Sequence, residues 1–145
     1  VEKARRSFWA SWLVAIGVVA MAFGAFVALA NRTPAFGFID DWFNTPFWGD
    51  AAPDATVADF QSWAYSVMGG AMFGLGALVA GIAHVAIRRG ERWAWWTVAV
   101  GIAGWYVLDT GASALGEVWP NVVFNSVFLI AVAVPLIVLR RIGRG

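Results

Sequence analysis

The stretch IRRGERWAWW, residues 87–96, sets three arginines and a glycine between two long apolar runs. Before it, residues 56–87 hold one carboxylate, Asp59, and no Lys or Arg. After it, residues 93–115 hold only Asp109. At ~1.5 Å of helical rise per residue, each run is long enough to cross a hydrocarbon core of ~30 Å. An arginine-bearing turn between two such runs reads as a helical hairpin that returns to the side of the bilayer it came from.

Working outward, residues 8–30 and 118–139 contain no charged residue. The chain therefore reads as an all-α bundle of four transmembrane helices, with spans near 8–30, 56–88, 93–115 and 118–139 in one integral membrane domain. Thr56 with Asp59 three residues on is a capping-box pattern that would start the second span. Nine of the ten basic residues fall in three clusters: Lys3, Arg5 and Arg6; Arg88, Arg89 and Arg92; Arg140, Arg141 and Arg144. Four spans put all three clusters on one face. The opposite face receives Asp40, Asp41, Asp50, Asp54, Asp59 and Glu117, with Arg32 the one base. The excess of arginine and lysine on the inner side of bacterial membranes then orients both termini toward the cytoplasm. Tryptophans agree: Trp9, Trp93, Trp95 and Trp96 fall at one boundary, Trp42, Trp48 and Trp119 at the other, and Trp105 alone lies near the middle.

Composition supports the same class. The 145 residues are 61% hydrophobic and 13% charged, with a mean hydropathy of +0.71, whereas a soluble domain carries about a quarter charged residues. The dispersed bases and net charge of +1 argue against a nucleic-acid partner. With no cysteine, disulfide frameworks, thiolate metal sites and thiol–disulfide exchange are excluded, including the chemistry of quinone-coupled thiol oxidases. Lys3–Arg6 and Ala28-Leu29-Ala30 resemble the ends of a signal peptide, but the apolar run between them is about twice the length of a signal core, so retention is expected.

Residues 31–55 read as an outer interfacial loop that is unusually aromatic. Two readings fit: an anchor at headgroup level, or a lid of Trp42, Phe43, Phe47 and Trp48 folded over an outward-opening cavity. Its aspartates lack calcium-loop spacing.

Asp109 is the one acid inside a span, ~25 Å from the arginine turn by helical rise. An intramembrane carboxylate defaults to a functional hypothesis. Trp105 and Ser113, four residues to either side, share its helical face. Asn121 and Asn125, also four apart, descend on the next span, and Gln61 and Tyr65 reach similar depths on the second. These seven residues form an expected polar cluster joining spans two, three and four. It serves either as interhelical glue or as a site for a small amphipathic or cationic ligand, with Asp109 as counter-charge and Trp105 and Tyr65 as aromatic walls. His84, the single histidine, is expected at the interface, hydrogen-bonded; one pigment ligand is its most a single chain offers. No metal site or other cofactor is expected. Gly70 and Gly74, with Gly69, Gly76 and Ala77, and then Gly101, Gly104 and Gly111, make small-residue faces for packing within the bundle or against a partner chain.

At Phe60-Gln61-x-Trp63-x-Tyr65, Arg92-Trp93-x-Trp95, Trp105-Tyr106-x-x-Asp109-Thr110 and Asn121-x-x-x-Asn125, the chain resembles a group of uncharacterised small bacterial four-span membrane proteins. The resemblance runs from Phe60 onward and implies the four-span fold, with no activity attached. Small multidrug exporters share the span count but carry an acid in their first span, and residues 8–30 have none. The expected function is that of a non-catalytic accessory or stabilising subunit, or a small oligomer, of a bacterial cytoplasmic membrane. The alternative is outward-facing binding or transport of an amphipathic or cationic ligand around Asp109. An enzyme acting on a lipid or quinone would rest on Asp109 alone, since HExxH, GxSxG and phosphate-cradling glycine motifs are missing.

Overall fold

The computed structural model describes residues 1–49 and 51–142; Asp50 and Arg144 lie outside them. Among the described residues there are five α-helices and no strand. They are α1 (Glu2–Ala30), α2 (Gly37–Trp48), α3 (Ala55–Ile82), α4 (Arg92–Leu115) and α5 (Trp119–Ile142), with a short 3-10 turn, Pro34–Phe36, leading into α2. A π-helical segment, Ala83–Ile87, continues α3 toward the arginine turn. Four helices are long and apolar enough to cross a membrane. Between 17% and 28% of each one's most apolar window is buried within the bundle. Outward faces such as Val107, Leu108, Val127 and Ile130 are therefore left to the solvent, and hydrocarbon accepts them at no hydrophobic cost where water would not.

α1 is the central element. It packs along α3 on one side and against α5 on the other, while α4 leans on α5 and meets α3 little outside the π segment. Glycine sets the first of these contacts. A Cβ on Gly17 would lie 2.6 Å from the Gly76 carbonyl oxygen, and one on Gly24 would lie 2.6 Å from that of Gly69. Both pairs are seven residues apart on antiparallel helices, so the backbones touch twice along one seam. Of the glycines expected to make packing faces, Gly69 and Gly76 thus form the seam, whereas Gly70, Gly74, Gly101, Gly104 and Gly111 face open space among the described residues. On α3 the face α1 uses runs through Gly69 and Gly76, and Gly70 points about 100° away from it.

The tightest packing lies where the N-terminal part of α1, the π segment, the start of α4 and the end of α5 converge. Ala10, Ala83, Ala94, Leu13 and Val132 are all fully enclosed there, the small alanines letting four backbones meet. Gly90 turns the chain with φ +83° and lies against the Arg6 guanidinium, while Arg140 stacks over Trp95, 5.2 Å from the ring centroid. This is the basic end. Pro135 interrupts α5 by withholding the N–H that the Ala131 carbonyl would accept. The Trp12 indole supplies it instead, donating to Ala131 O at 3.0 Å.

At the other, acidic end, the interfacial loop expected of residues 31–55 contains a 3-10 turn and the helix α2. Phe36, Ile39 and Phe43 recur at helical spacing and turn inward, forming a small second core with Val27 and Tyr65. α3 begins one residue before Thr56, because the extended Asp54 caps it by accepting from the Val57 N–H at 2.9 Å. Asp59, expected in a capping box, pairs with Arg32 at 2.9 Å.

Candidate functional site

The tight Gly116–Val118 turn brings α4 and α5 side by side, and their polar faces meet in a hydrogen-bonded lock. Asn121 and Asn125 each donate through Nδ2 to Asp109 Oδ1 at 2.7 Å. Asn121 also donates to Ser113 Oγ at 2.7 Å, and Asn125 to Thr110 Oγ1 at 3.1 Å. Asn125 is 2% exposed, so its amide needs these partners. Asp109 Oδ2 accepts no hydrogen bond among the described residues, and no enclosed side-chain polar atom there is left unpaired. Oδ2 therefore opens onto free space.

Asp109 is also a lining residue of a cavity of about 510 Å³ at the acidic half of the bundle, to which all five helices contribute. Its lining is mostly apolar, with Phe23 and Phe124 stacked 5.0 Å apart on the α1–α5 side and Met68 and Met72 from α3. Trp105, one turn from Asp109, forms part of the wall and rests edge-on against Phe128 at 5.4 Å. Tyr65 lines it from α3, and Trp42 and Phe43 line it from α2.

The expected seven-residue cluster is accordingly two separate hydrogen-bonded groups, with Trp105 in the wall beside one of them. Gln61 and Tyr65 do not reach Asp109. The Gln61 amide donates to Tyr65 Oη at 3.0 Å and to the Asn44 side chain on α2, and Asp40 lies beside the Tyr65 hydroxyl. The reason is the wide separation of α3 from α4, which leaves α2 as the nearer partner. Of the four aromatics expected as a lid, Trp42 and Phe43 line the cavity, whereas Phe47 and Trp48 stack on each other at 5.4 Å outside it. Phe36, 1% exposed, anchors the start of α2, with its ring 5.8 Å from that of Phe26 and 5.1 Å from that of Tyr65. His84 is exposed on the π segment, remote from this cavity. Among the described residues, no three His, Cys, Asp or Glu side chains come together as a metal site would require.

Sequence reasoning missed Thr110, Phe36, Asn44 and a hub at Asn31. Asn31 donates to Ser66 Oγ at 3.1 Å and accepts from Ser62 Oγ at 2.6 Å, tying the end of α1 to α3. Its signal was available: Ser62 and Ser66 are four residues apart on one face of an apolar helix. Comparison with protein-family models, curated proteins and solved structures finds no match to this chain.

Proposed function

We propose that this is an integral membrane protein that binds a small amphipathic molecule, its apolar body in the cavity and its cationic or hydrogen-bond-donating head on Asp109. The observation that carries this reading is the half-satisfied carboxylate. One oxygen is held by two asparagine amides, the other accepts no hydrogen bond among the described residues, and the residue lines a mostly apolar cavity beside a short helix. Aromatic and methionine walls with few polar groups suit such a ligand. By the charge rule the basic end lies in the cytoplasm, both termini with it, and the cavity opens toward the outer side of a bacterial cytoplasmic membrane. Binding, with transport as an extension of it, fits the cavity better than turnover, since no nucleophile–base pair is found among its described lining residues.

Asp109→Asn tests this. The substituted carbonyl can still accept from Asn121 and Asn125, so the lock and the melting temperature should persist while the charge facing the cavity is lost. Native mass spectrometry from mild detergent should find an amphiphile retained by the wild type and lost from the variant. Equal retention by both, or a melting temperature that falls in step with retention, would leave Asp109 as interhelical glue only.

A second reading, an accessory subunit or homo-oligomer, is favoured by the glycines of α3 and α4 that no helix of this chain covers. The same spectra would report it as a stoichiometric partner or a second copy.

A further inference from the structure

A second concavity, of about 260 Å³, lies at the basic end, where the first turns of α1, the α3–α4 turn and the last turns of α5 meet. Three arginines reach it from three helices, Arg6, Arg92 and Arg140, against a single acid, Glu91. Glu91 is engaged by the Trp93 indole. Arg6 pairs with Glu2 at 3.2 Å, and Arg140 lies over Trp95 and Trp96 at 5.2 and 5.7 Å. Arg92 is exposed and pairs with no acid among the described residues. Like charges brought together in this way repel, so the fold must hold them there. It does so partly through Gly90, where a Cβ would come within 2.5 Å of Arg6 Nη1. The rest of the wall is Ile87, Leu139 and the two tryptophans, which is apolar and aromatic.

Guanidinium groups from separate helices, spaced around an apolar wall at a helix-bundle end rich in tryptophan, match a phosphate that carries a hydrocarbon tail. We infer that this concavity binds the phosphate of an anionic membrane phospholipid, with Arg92 and Arg140 on the phosphate oxygens, Arg6 behind them, and the first carbons of the acyl chains on Leu139 and the tryptophan faces. Free phosphate offers the same oxygens without the tail. The apolar wall is what favours the lipid. The site is separate from the Asp109 cavity and does not depend on its ligand.

The test uses the full chain in mild neutral detergent, its melting temperature followed as phosphatidylglycerol, phosphatidylcholine or inorganic phosphate is added. Phosphatidylglycerol should raise the melting temperature saturably, and phosphatidylcholine should not. Each arginine lost near an anionic headgroup should weaken binding about fivefold, so Arg92→Gln shifts the midpoint about fivefold and Arg92→Gln with Arg140→Gln about 25-fold. Arg89→Gln, an equal charge loss outside the concavity, should leave it unchanged, as should Asp109→Asn. Saturation by inorganic phosphate but not by the lipid, with the same arginine dependence, would assign the phosphate site to a soluble anion. An equal response to phosphatidylcholine, equal weakening by Arg89→Gln and Arg92→Gln, or no saturable response to either anion would overturn the site. Should Arg140→Gln lose its tryptophan stacking and unfold, Arg92→Gln alone decides, since Arg92 has no bonded partner among the described residues.

Discussion

Gly24 and Gly69 stand back to back: a Cβ on Gly24 would lie 2.6 Å from the Gly69 carbonyl oxygen, and one on Gly69 would lie 2.5 Å from that of Gly24. Backbone, not a flexible side chain, is what each new atom would strike, so α1 and α3 would have to part. Gly69→Leu should therefore cost at least the ~1–3 kcal/mol typical of overpacking, read as a lower melting temperature in detergent. Its neighbour Gly70 faces open space, and Gly70→Leu should melt near the wild type if the glycine is not covered by a partner. Equal losses at the two positions would contradict the seam.

The lock between α4 and α5 makes a second prediction. Asn125→Leu removes the donors to Asp109 and Thr110 and should cost about 0.6 kcal/mol, the average for interhelical polar pairs in membranes, and at most about 1.7 kcal/mol per pair. Asn121 is less buried, and Asn121→Leu should cost less. Thermal unfolding of the two variants side by side checks the order.

Trp12 and Pro135 are coupled through one carbonyl. Trp12→Phe should cost about 1 kcal/mol by leaving Ala131 O without a donor. In a Pro135→Ala background the helix regains its own N–H, and the same substitution should cost little. A double-mutant cycle measures the difference directly; additive effects would mean that the indole is not replacing the missing helical bond.

Phe36 holds α2 to the bundle, and the proposal that α2 acts as a lid can be tested there. Truncating a fully buried phenylalanine costs about 3 kcal/mol or more, enough to release α2 from α3 while the four long helices stay folded. Phe36→Ala should therefore speed proteolytic cleavage within residues 31–55 far more than it lowers the melting temperature. If both change together, α2 is part of the main folding unit and not a lid.

The four long helices were legible because hydropathy and arginine placement are strong, additive signals along each run. α2 was not, because Pro34, Gly37, Pro46 and Gly49 punctuate a short segment, and its Phe36, Ile39, Phe43 spacing is only one turn repeated. Asp109, Ser113, Asn121 and Asn125 were legible as a group because a short turn leaves two antiparallel helices no other way to pair their polar faces. Gln61 and Tyr65 were assigned to the wrong partner for a related reason: depth along an axis says nothing of lateral distance, and α3 stands away from α4. Of the glycines expected to pack, Gly69 and Gly76 do and Gly70 and Gly74 do not, because GxxxG spacing is common, whereas the seam is a match between two helices, Gly17 with Gly76 and Gly24 with Gly69, that no single-helix motif contains.

The enclosed alanines and the π segment join α3 to α4 at one extremity, while at the other the two helices are parted by empty volume. In the acidic half the α4–α5 pair is therefore joined to α3 mainly through α1, which packs along α3 on one side and α5 on the other. The surroundings of Asp109 and of the arginines are thus built from different contacts within one continuous bundle, and a substitution at either end should leave the packing of the other in place.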